Sequence, residues 1–203
     1  MISPWVILVV ILRKPNAILL NQLRMRKLKN EELGRIDEEA FKEATKLNAC
    51  IVLDDIRSMH NVGSAFRTSD AFRIEKVWLC GITATPPHRE INKTALGATD
   101  TVAWEHRKEV NELVEELSRQ GYQIVSVEQA DESVSLENFQ PDPKLKYAFV
   151  FGNEVFGVDD SVVENSNTVL EIPQFGTKHS LNISVSVGII IWDFVMKSKS
   201  LFK

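Results

Sequence analysis

The sequence predicts an α/β fold in which a mostly parallel sheet carries helices on both faces. Short apolar runs of strand length alternate along the chain with segments of helical spacing. These runs are apolar at nearly every position, which is typical of parallel strands that are covered on both sides. Polar clusters follow five of the predicted strands. Because ligands bind outside the carboxyl ends of strands in such sheets, we expect a site at this edge.

Composition limits the class of protein. The 203 residues are 44% hydrophobic and 26% charged, as in a globular domain that buries roughly 70% of its unfolded surface. Cys50 and Cys80 lie in separate apolar runs, which favours reduced core thiols and an intracellular protein. The net charge of −4 argues against a general polyanion binder, so an RNA partner would need a local basic patch.

The beginning of the chain differs in character from the rest. Residues 7–12 are apolar but too few to cross a bilayer, which takes about 20 residues in a helix, and their surroundings make a poor signal peptide. We therefore expect residues 1–24 to be a non-native or disordered leader, and we expect no membrane association. Residues 25–48 are predicted to form a charged helical arm, with Asp37 as the N-cap of a helix through Phe41 and Ala44.

From residue 49 to residue 203 we predict one folded domain. Its first half contains strands at residues 49–54, 76–81 and 101–106. A helix begins near Asn61 after the first strand, and an amphipathic helix over residues 110–120 ends at Gly121.

The second half continues with strands at residues 122–128, 147–152 and 168–173. A loop over residues 131–144 and a short helix over residues 159–165 separate these strands. The final helix, residues 183–194, is apolar nearly all round, which predicts burial on every side, and Ser180 is a candidate for its N-cap.

Three polar segments are candidates for function. In the first, Arg67 reaches back over the helix N-terminus if Gly63 permits a tight turn; the alternative is a capping Asn61 and a surface arginine. In the second, residues 151–158, Glu154 stands between two glycines without the spacing of a nucleotide-binding loop; the alternative is a plain strand-to-helix turn.

The third segment places Ser180 and Asn182 before the final helix, where capping and catalysis are compatible roles. The four histidines do not have metal-ligand spacing, and no order of residues suggests a covalent nucleophile. We therefore predict no metal.

Together the three segments form a more specific pattern. N-x-G-x-x-x-R follows the first strand, F-G-N-E-x-x-G follows the fifth, and I-P-x-x-G-x-x-x-S-L-N-x-S-x-S leads into the last helix. In order and spacing they resemble the three motifs of the SpoU/TrmH family of RNA 2'-O-ribose methyltransferases, a part of the SPOUT superfamily. The resemblance covers Cys50 to about Met196.

The resemblance implies a deep C-terminal trefoil knot, a homodimer and S-adenosylmethionine as the methyl donor. By position, the cofactor would be held largely by backbone groups at Gly152, Ile172 and Leu181. The loop from Val127 to Gln129 would close over it. No metal is implied.

The resemblance also implies catalytic roles. Arg67 would activate the ribose 2'-hydroxyl, either as a general base or by stabilising the developing alkoxide, and Asn61, Glu154, Ser180 and Asn182 would shape the site. A guanidinium rarely gives up its proton, so charge stabilisation is the less demanding role.

The expected substrate is tRNA or rRNA, methylated in the cytoplasm. The local basic patch for this RNA would consist of Arg57, His60, Arg73, Arg89 and Lys93. Two alternatives remain at this point: a non-catalytic RNA-binding module on the same fold, and a small-molecule methyltransferase.

Overall fold

A seven-stranded sheet forms the centre of the fold. The structure is a computed structural model, and it describes residues 26–198. The strands are β1 Leu47–Asp54, β2 Ile74–Cys80, β3 Trp104–Arg107, β4 Tyr122–Val127, β5 Val134–Ser135, β6 Lys146–Phe151 and β7 Thr168–Glu171. All neighbouring strands are parallel, in the order β3-β2-β1-β6-β4-β7-β5. The predicted parallel sheet is therefore confirmed.

Seven α-helices accompany the sheet in the described residues. They are α1 Glu38–Glu43, α2 Met59–Ala71, α3 Arg89–Ala95, α4 Ala98–Thr101, α5 Val110–Arg119, α6 Asp160–Glu164 and α7 Ile183–Ser198. Helices α2, α3 and α7 pack in one hydrophobic core, and α5 and α6 pack in a second. The prediction of helices on both faces is therefore confirmed.

The central strand β1 shows why two cores form. Its side chains alternate between the faces, as in any strand, so that Ile51 and Leu53 enter one core while Cys50 and Val52 enter the other. All four are at most 1% exposed. A strand that is apolar on both faces is stable only when both faces are covered.

Helix α5 follows its sequence pattern closely. Its buried residues Val110, Leu113, Val114 and Leu117 have the i, i+3, i+4, i+7 spacing of one apolar stripe. Gly121 follows the C-cap with a φ of +85°, which confirms its predicted role at the helix end.

The chain divides into one compact unit up to Ile36 and a second from Asp37 onwards. Of the first, the structure describes residues 26–36, which contain a short 3₁₀ helix and an ion pair of 2.7 Å between Arg26 and Glu32. In the second, the Asp37 side chain accepts a hydrogen bond of 2.8 Å from the Ala40 backbone, which confirms Asp37 as the predicted N-cap.

The leader predicted for residues 1–24 lies outside the described residues. Within residues 26–198, none of the helices combines the length and apolar character needed to cross a lipid bilayer.

Two regions differ from the prediction. The third strand begins at Trp104 rather than at residue 101, because residues 98–101 form α4, and the stretch before them forms α3. The loop predicted over residues 131–144 contains the short strand β5, which pairs with β7 at the edge of the sheet. Helices of one or two turns and a two-residue strand have too few residues to show a period.

The single chain does not bury the last helix on every side. Val185 is 49% exposed and Trp192 is 54% exposed, so α7 has one apolar side outside the core. Its cap is also different, because the Oδ1 atom of Asn182, not Ser180, accepts a hydrogen bond of 2.9 Å from the Ser184 backbone. An apolar sequence shows which residues avoid water but not which neighbour covers them.

Gly63 serves helix packing rather than a tight turn. Helix α2 runs through this position without interruption, and a Cβ atom there would overlap the Ile91 carbonyl and the Thr94 side chain of α3. The glycine therefore sets the close approach of two helices.

We predict that Gly63→Ala destabilises the protein. Overpacking of this kind costs about 1–3 kcal/mol, which for a chain of this size lowers the melting temperature by roughly 2–12 °C. Thermal unfolding followed by circular dichroism measures the change. Gly176→Ala is the control, because Gly176 has no positive φ and no atom beyond its chain neighbours lies within 4 Å of the added Cβ. Equal melting temperatures for the two variants would contradict the packing role of Gly63.

Candidate active site

A cavity of about 570 Å³ lies at the carboxyl ends of β4, β6 and β7, beside the segment that leads into α7. Each of these three strands contributes the residues that follow its last sheet pairing. The lining consists of Val127, Glu128, Gln129, Phe151, Gly152, Asn153, Glu154, Val155, Phe156, Gly157, Leu170, Ile172, Gln174, His179, Ser180, Leu181, Asn182, Ile183 and Ser186. The polar clusters after these strands therefore come together where the parallel sheet predicts them.

All five residues predicted to bind the cofactor line this cavity: Val127, Gln129, Gly152, Ile172 and Leu181. The Gln129 amide donates a hydrogen bond of 2.7 Å to the His179 carbonyl. This bond joins the end of β4 to the loop before α7, across two segments that are 50 residues apart in the chain.

The Glu154 carboxylate is the centre of a hydrogen-bond network. Its oxygens accept bonds from the backbone N–H groups of Arg57, at 3.1 Å, and Ser58, at 3.2 Å, and from the Asn61 amide, at 3.3 Å. The Asn182 amide in turn donates to Oδ1 of Asn61 at 3.1 Å. One chain of bonds thus connects the start of α2, the turn after β6 and the start of α7.

This network sets the charge of Glu154. Partial burial raises the pKa of the carboxyl, but the hydrogen bonds from Arg57, Ser58 and Asn61 together outweigh burial, so the pKa lies below its ordinary value. Both oxygens already accept bonds. Glu154 therefore holds a negative charge in place and is poorly suited to take up a proton. The partners of Glu154 are thus two backbone N–H groups and one side-chain amide.

The turn after β6 is fixed by close backbone contacts. Gly152 has no space for a side chain, because a Cβ atom would overlap the backbone of Gly157, and a Cβ atom on Gly157 would overlap the Glu128 carboxylate. That carboxylate accepts a hydrogen bond of 3.0 Å from the Val158 backbone. The two glycines therefore allow the turn after β6 to close on itself and to pack against Glu128 at the cavity wall.

The structure does not bring Arg67 to this group. Arg67 is exposed on α2 and does not line the cavity. In an α-helix the six-residue spacing from Asn61 turns Arg67 about 120° away from it. Within residues 26–198, the Arg67 guanidinium makes no hydrogen bond or ion pair, whereas Ser180 and Asn182 both line the cavity.

Sequence reasoning missed several residues that line the cavity, among them Glu128, His179 and Phe156. Glu128 lies inside the predicted closing loop but was not named, His179 was considered only as a metal ligand, and Phe156 entered only as part of the segment 151–158. Only the position of each residue after a strand could have indicated them, because the segments they contact are distant in the sequence.

The lining is chemically suited to a nucleoside cofactor. Its volume lies in the range of small-molecule pockets, and Val127, Leu170 and Ile183 provide apolar walls beside polar groups such as Gln129. Ile172 follows the last residue of β7, so its backbone lies beyond the sheet pairing. Among the described residues, no three His, Cys, Asp or Glu side chains form a group that could hold a metal ion.

Comparison with protein families gives one match over most of the chain. Residues 48–192 match the model described as the SpoU rRNA Methylase family. This range includes all three segments that the sequence singled out.

Two relatives and one solved structure illustrate the similarity. The chain is 29% identical over 154 residues to the 23S rRNA (guanosine-2'-O-)-methyltransferase RlmB of Neisseria meningitidis serogroup B, covering 76% of this chain and 60% of the relative. It is 30% identical over 175 residues to an uncharacterized tRNA/rRNA methyltransferase of Borreliella burgdorferi, covering 85% and 75%. The crystal structure of an AdoMet-bound rRNA methyltransferase from Sinorhizobium meliloti superposes with a TM-score of 0.68 at 22% identity, covering 77% and 59%. The chain thus spans about 60% of the length of the Neisseria relative.

We predict that Glu154→Gln lowers stability in a way that depends on pH. The glutamine amide keeps only one acceptor oxygen, so its NH2 group must face the donor at Arg57 or the donors at Ser58 and Asn61. This costs about 1 kcal/mol, or roughly 2–4 °C in melting temperature at pH 7. Because the folded-state pKa of Glu154 is lowered, its stabilisation is present above the ordinary glutamate pKa and is lost as the pH falls through the lowered value. The difference from wild type should therefore shrink below about pH 4.

Melting temperatures measured between pH 3 and pH 8 would test this. Glu115→Gln is the matched control, since Glu115 is exposed on α5 and makes no hydrogen bond or ion pair within the described residues. A difference that stays constant with pH would show that the charge of Glu154 does not contribute.

Proposed function

The chain belongs to the SpoU rRNA Methylase family, and from this premise we propose that it transfers a methyl group from S-adenosylmethionine to a ribose 2'-hydroxyl of tRNA or rRNA. The observation that carries the proposal is the Glu154 network beside the cavity. It joins the three segments whose spacing resembles the family motifs. The activity of the Neisseria relative, methylation of a guanosine 2'-oxygen in 23S rRNA, supports the reaction type.

S-adenosylmethionine would supply an electrophilic methyl group on a sulfonium ion. The residues suited to hold it are those of the cavity wall, with Val127 and Ile172 against apolar surface and the backbone at Gly152 and Leu181 for polar groups. The AdoMet-bound neighbour of the same fold supports this cofactor. We propose that no metal takes part, because positioning is the main catalytic resource in a direct methyl transfer.

The side chains around the cavity have different proposed roles in the reaction. Glu154 and Asn61 are fixed by their mutual hydrogen bonds, so we assign them to shaping the site for the ribose, together with Ser180 and Asn182. Arg67 is exposed, and an exposed guanidinium stays protonated at neutral pH. We therefore assign Arg67 to stabilising the developing alkoxide or the neighbouring phosphate.

The proposed partner is RNA, bound at a local basic patch around Arg57 and Arg67. Both residues are exposed, and within the described residues their guanidinium groups make no ion pair. By contrast, His60 and Lys93 from the expected patch both pair with Glu90, at 3.0 and 2.7 Å. These two are therefore less available to phosphate than the arginines.

We also propose that the protein is a homodimer and that α7 contributes to the contact. Val185, Ile189 and Trp192 have the i, i+4, i+7 spacing of one helix side, and Val185 and Trp192 are about half exposed. An exposed apolar stripe of this kind marks an interaction surface. The trefoil knot stays a prediction from the family resemblance.

The remaining assignments follow the sequence. We propose residues 1–24 as a leader, residues 25–48 as an arm and residues 49–203 as the methyltransferase domain. The end of the proposed arm is part of the fold, because Phe41 and Leu47 are buried in the first hydrophobic core. Cys50 and Cys80 are buried free thiols, which supports a reducing compartment and thus the cytoplasm.

We predict that Arg67→Ala reduces methyl transfer by at least about 100-fold, the effect of removing one charge-stabilising group. Binding of S-adenosylmethionine should change less than about threefold, because Arg67 does not line the cavity. Incorporation of labelled methyl groups into total RNA measures the first quantity, and isothermal titration calorimetry measures the second.

Arg119→Ala is the control, since Arg119 is exposed on α5, over the opposite face of the sheet. Wild-type activity in Arg67→Ala would refute the role of Arg67. Absence of RNA methylation by the unmodified protein, with RNA binding intact, would refute the proposed reaction itself.

We predict that Trp192→Glu separates the dimer. Burying a charge in an apolar contact is unfavourable, so the molar mass from light scattering should fall by half. Leu96→Glu, at a residue that is 64% exposed on a different helix end, should leave the mass unchanged. A dimer that persists in Trp192→Glu would exclude this side of α7 from the interface.

A further inference from the structure

Phe156 is an aromatic side chain that the fold leaves in water beside the cavity. It is 87% exposed, and it lines the cavity together with its neighbour Val155, which is 66% exposed. Phe175 is also exposed, at 98%, but it is not among the lining residues. Val155 and Phe156 thus form an exposed apolar patch at the rim of the cavity, and such patches mark ligand-binding surfaces.

The exposure of Phe156 is built into the turn and does not come from fraying. The Asn153 side chain accepts hydrogen bonds from the backbone of Val155, at 2.8 Å, and of Phe156, at 3.2 Å. The Asn153 carbonyl accepts a bond of 2.9 Å from Gly157. The Asn153 amide donates to the Asp55 carbonyl at 2.8 Å, which ties the turn to the residue after β1. The backbone that carries the ring is therefore held from two sides.

The surroundings of Phe156 match a nucleotide. Two residues before it, Glu154 is bonded to the backbone of Arg57, and the Arg57 guanidinium is exposed without an ion pair in the described residues. An aromatic face, a free cation and an adjoining cavity are thus found on neighbouring residues. Unpaired RNA bases stack on such rings, while arginine binds the phosphates.

A role in holding the cofactor fits less well. The apolar walls of the cavity are formed by buried or half-buried residues such as Leu170, Ile172 and Ile183. A ring that remains 87% exposed stands at the rim, where it contacts a ligand arriving from solvent.

We propose that Phe156 is a stacking platform for an unpaired nucleobase of the RNA, and that it positions the nucleotide whose ribose enters the site. The proposal rests on the proposed methyltransferase function. It adds a requirement that the motif residues do not impose, namely that the base beside the reacting ribose is unstacked from its neighbours and lies flat on the ring.

The test is a series of substitutions at this one position. Phe156→Ala and Phe156→Leu should raise KM for RNA about 5- to 150-fold, the factor that corresponds to the 1–3 kcal/mol of one base–aromatic stack. Phe156→Tyr and Phe156→Trp should keep KM within about threefold of wild type, because each retains a ring. Leu96→Ala, which truncates an exposed apolar residue elsewhere, is the matched control.

Three further measurements keep the outcomes distinct. Titration calorimetry should show unchanged binding of S-adenosylmethionine by Phe156→Ala, and light scattering should show an unchanged molar mass. A fluorescently labelled single-stranded RNA oligonucleotide, and the same oligonucleotide with its bases removed, report binding without any reaction. Phe156→Ala should weaken binding to the first oligonucleotide and leave binding to the second as it is.

Each opposing result has a defined meaning. If Phe156→Leu is as active as the wild type, an apolar contact is sufficient and stacking is not needed. This result would overturn the proposal. A loss of cofactor affinity in Phe156→Ala would show that the ring contacts the cofactor. A halved molar mass would show that it contacts a second copy of the chain. Either result would overturn the proposal. If the unmodified protein methylates no RNA, the proposed function fails, and the oligonucleotide pair alone then decides whether Phe156 stacks on bases.

Discussion

The Glu154 carboxylate is the interaction on which the site depends. Its oxygens accept bonds from two backbone N–H groups at the start of α2 and from Asn61, which in turn accepts a bond from Asn182. Without this carboxylate, the backbone N–H groups of Arg57 and Ser58 would lose their acceptor. The segments after β1 and β6 would then be joined by fewer bonds, such as the one from the Asn153 amide to the Asp55 carbonyl. Since α7 begins at Ile183, directly after Asn182, the same bonds reach the element that closes the cavity.

The network also separates fixed from free groups. Glu154, Asn61 and Asn182 hold one another, whereas the side chains of Arg57 and Arg67 project into solvent without partners in the described residues. Fixed groups give a site its shape at no cost when a substrate arrives, while free cations keep their full attraction for a polyanion. A protein with a net charge of −4 can therefore attract RNA at one place without binding it everywhere.

Patterns within one element were predictable from the sequence, and contacts between distant elements were not. The apolar stripe on α5 and the two apolar faces of β1 follow from the order of apolar residues within each segment. The edge that carries the site follows from the parallel sheet. The five residues predicted to bind the cofactor were named through the family resemblance, not from a pattern, and all five line the cavity. The partners of Glu154 lie 93–97 residues earlier in the chain, and no local period encodes a pairing of that range. For the same reason, the position of Arg67 away from the cavity became visible only in the fold.

The contact of Gly152, Gly157 and Glu128 has a consequence for how such a sequence can change. A side chain at Gly152 would meet Gly157, and one at Gly157 would meet Glu128, so no single replacement at either glycine fits the existing neighbours. Shortening Glu128 would open space but would also remove the acceptor for the Val158 backbone. Divergence at this wall therefore requires coordinated changes in two loops, which makes it a poor region for stepwise laboratory evolution. The tip at Val155 and Phe156 is more open to stepwise change, because these side chains are 66% and 87% exposed.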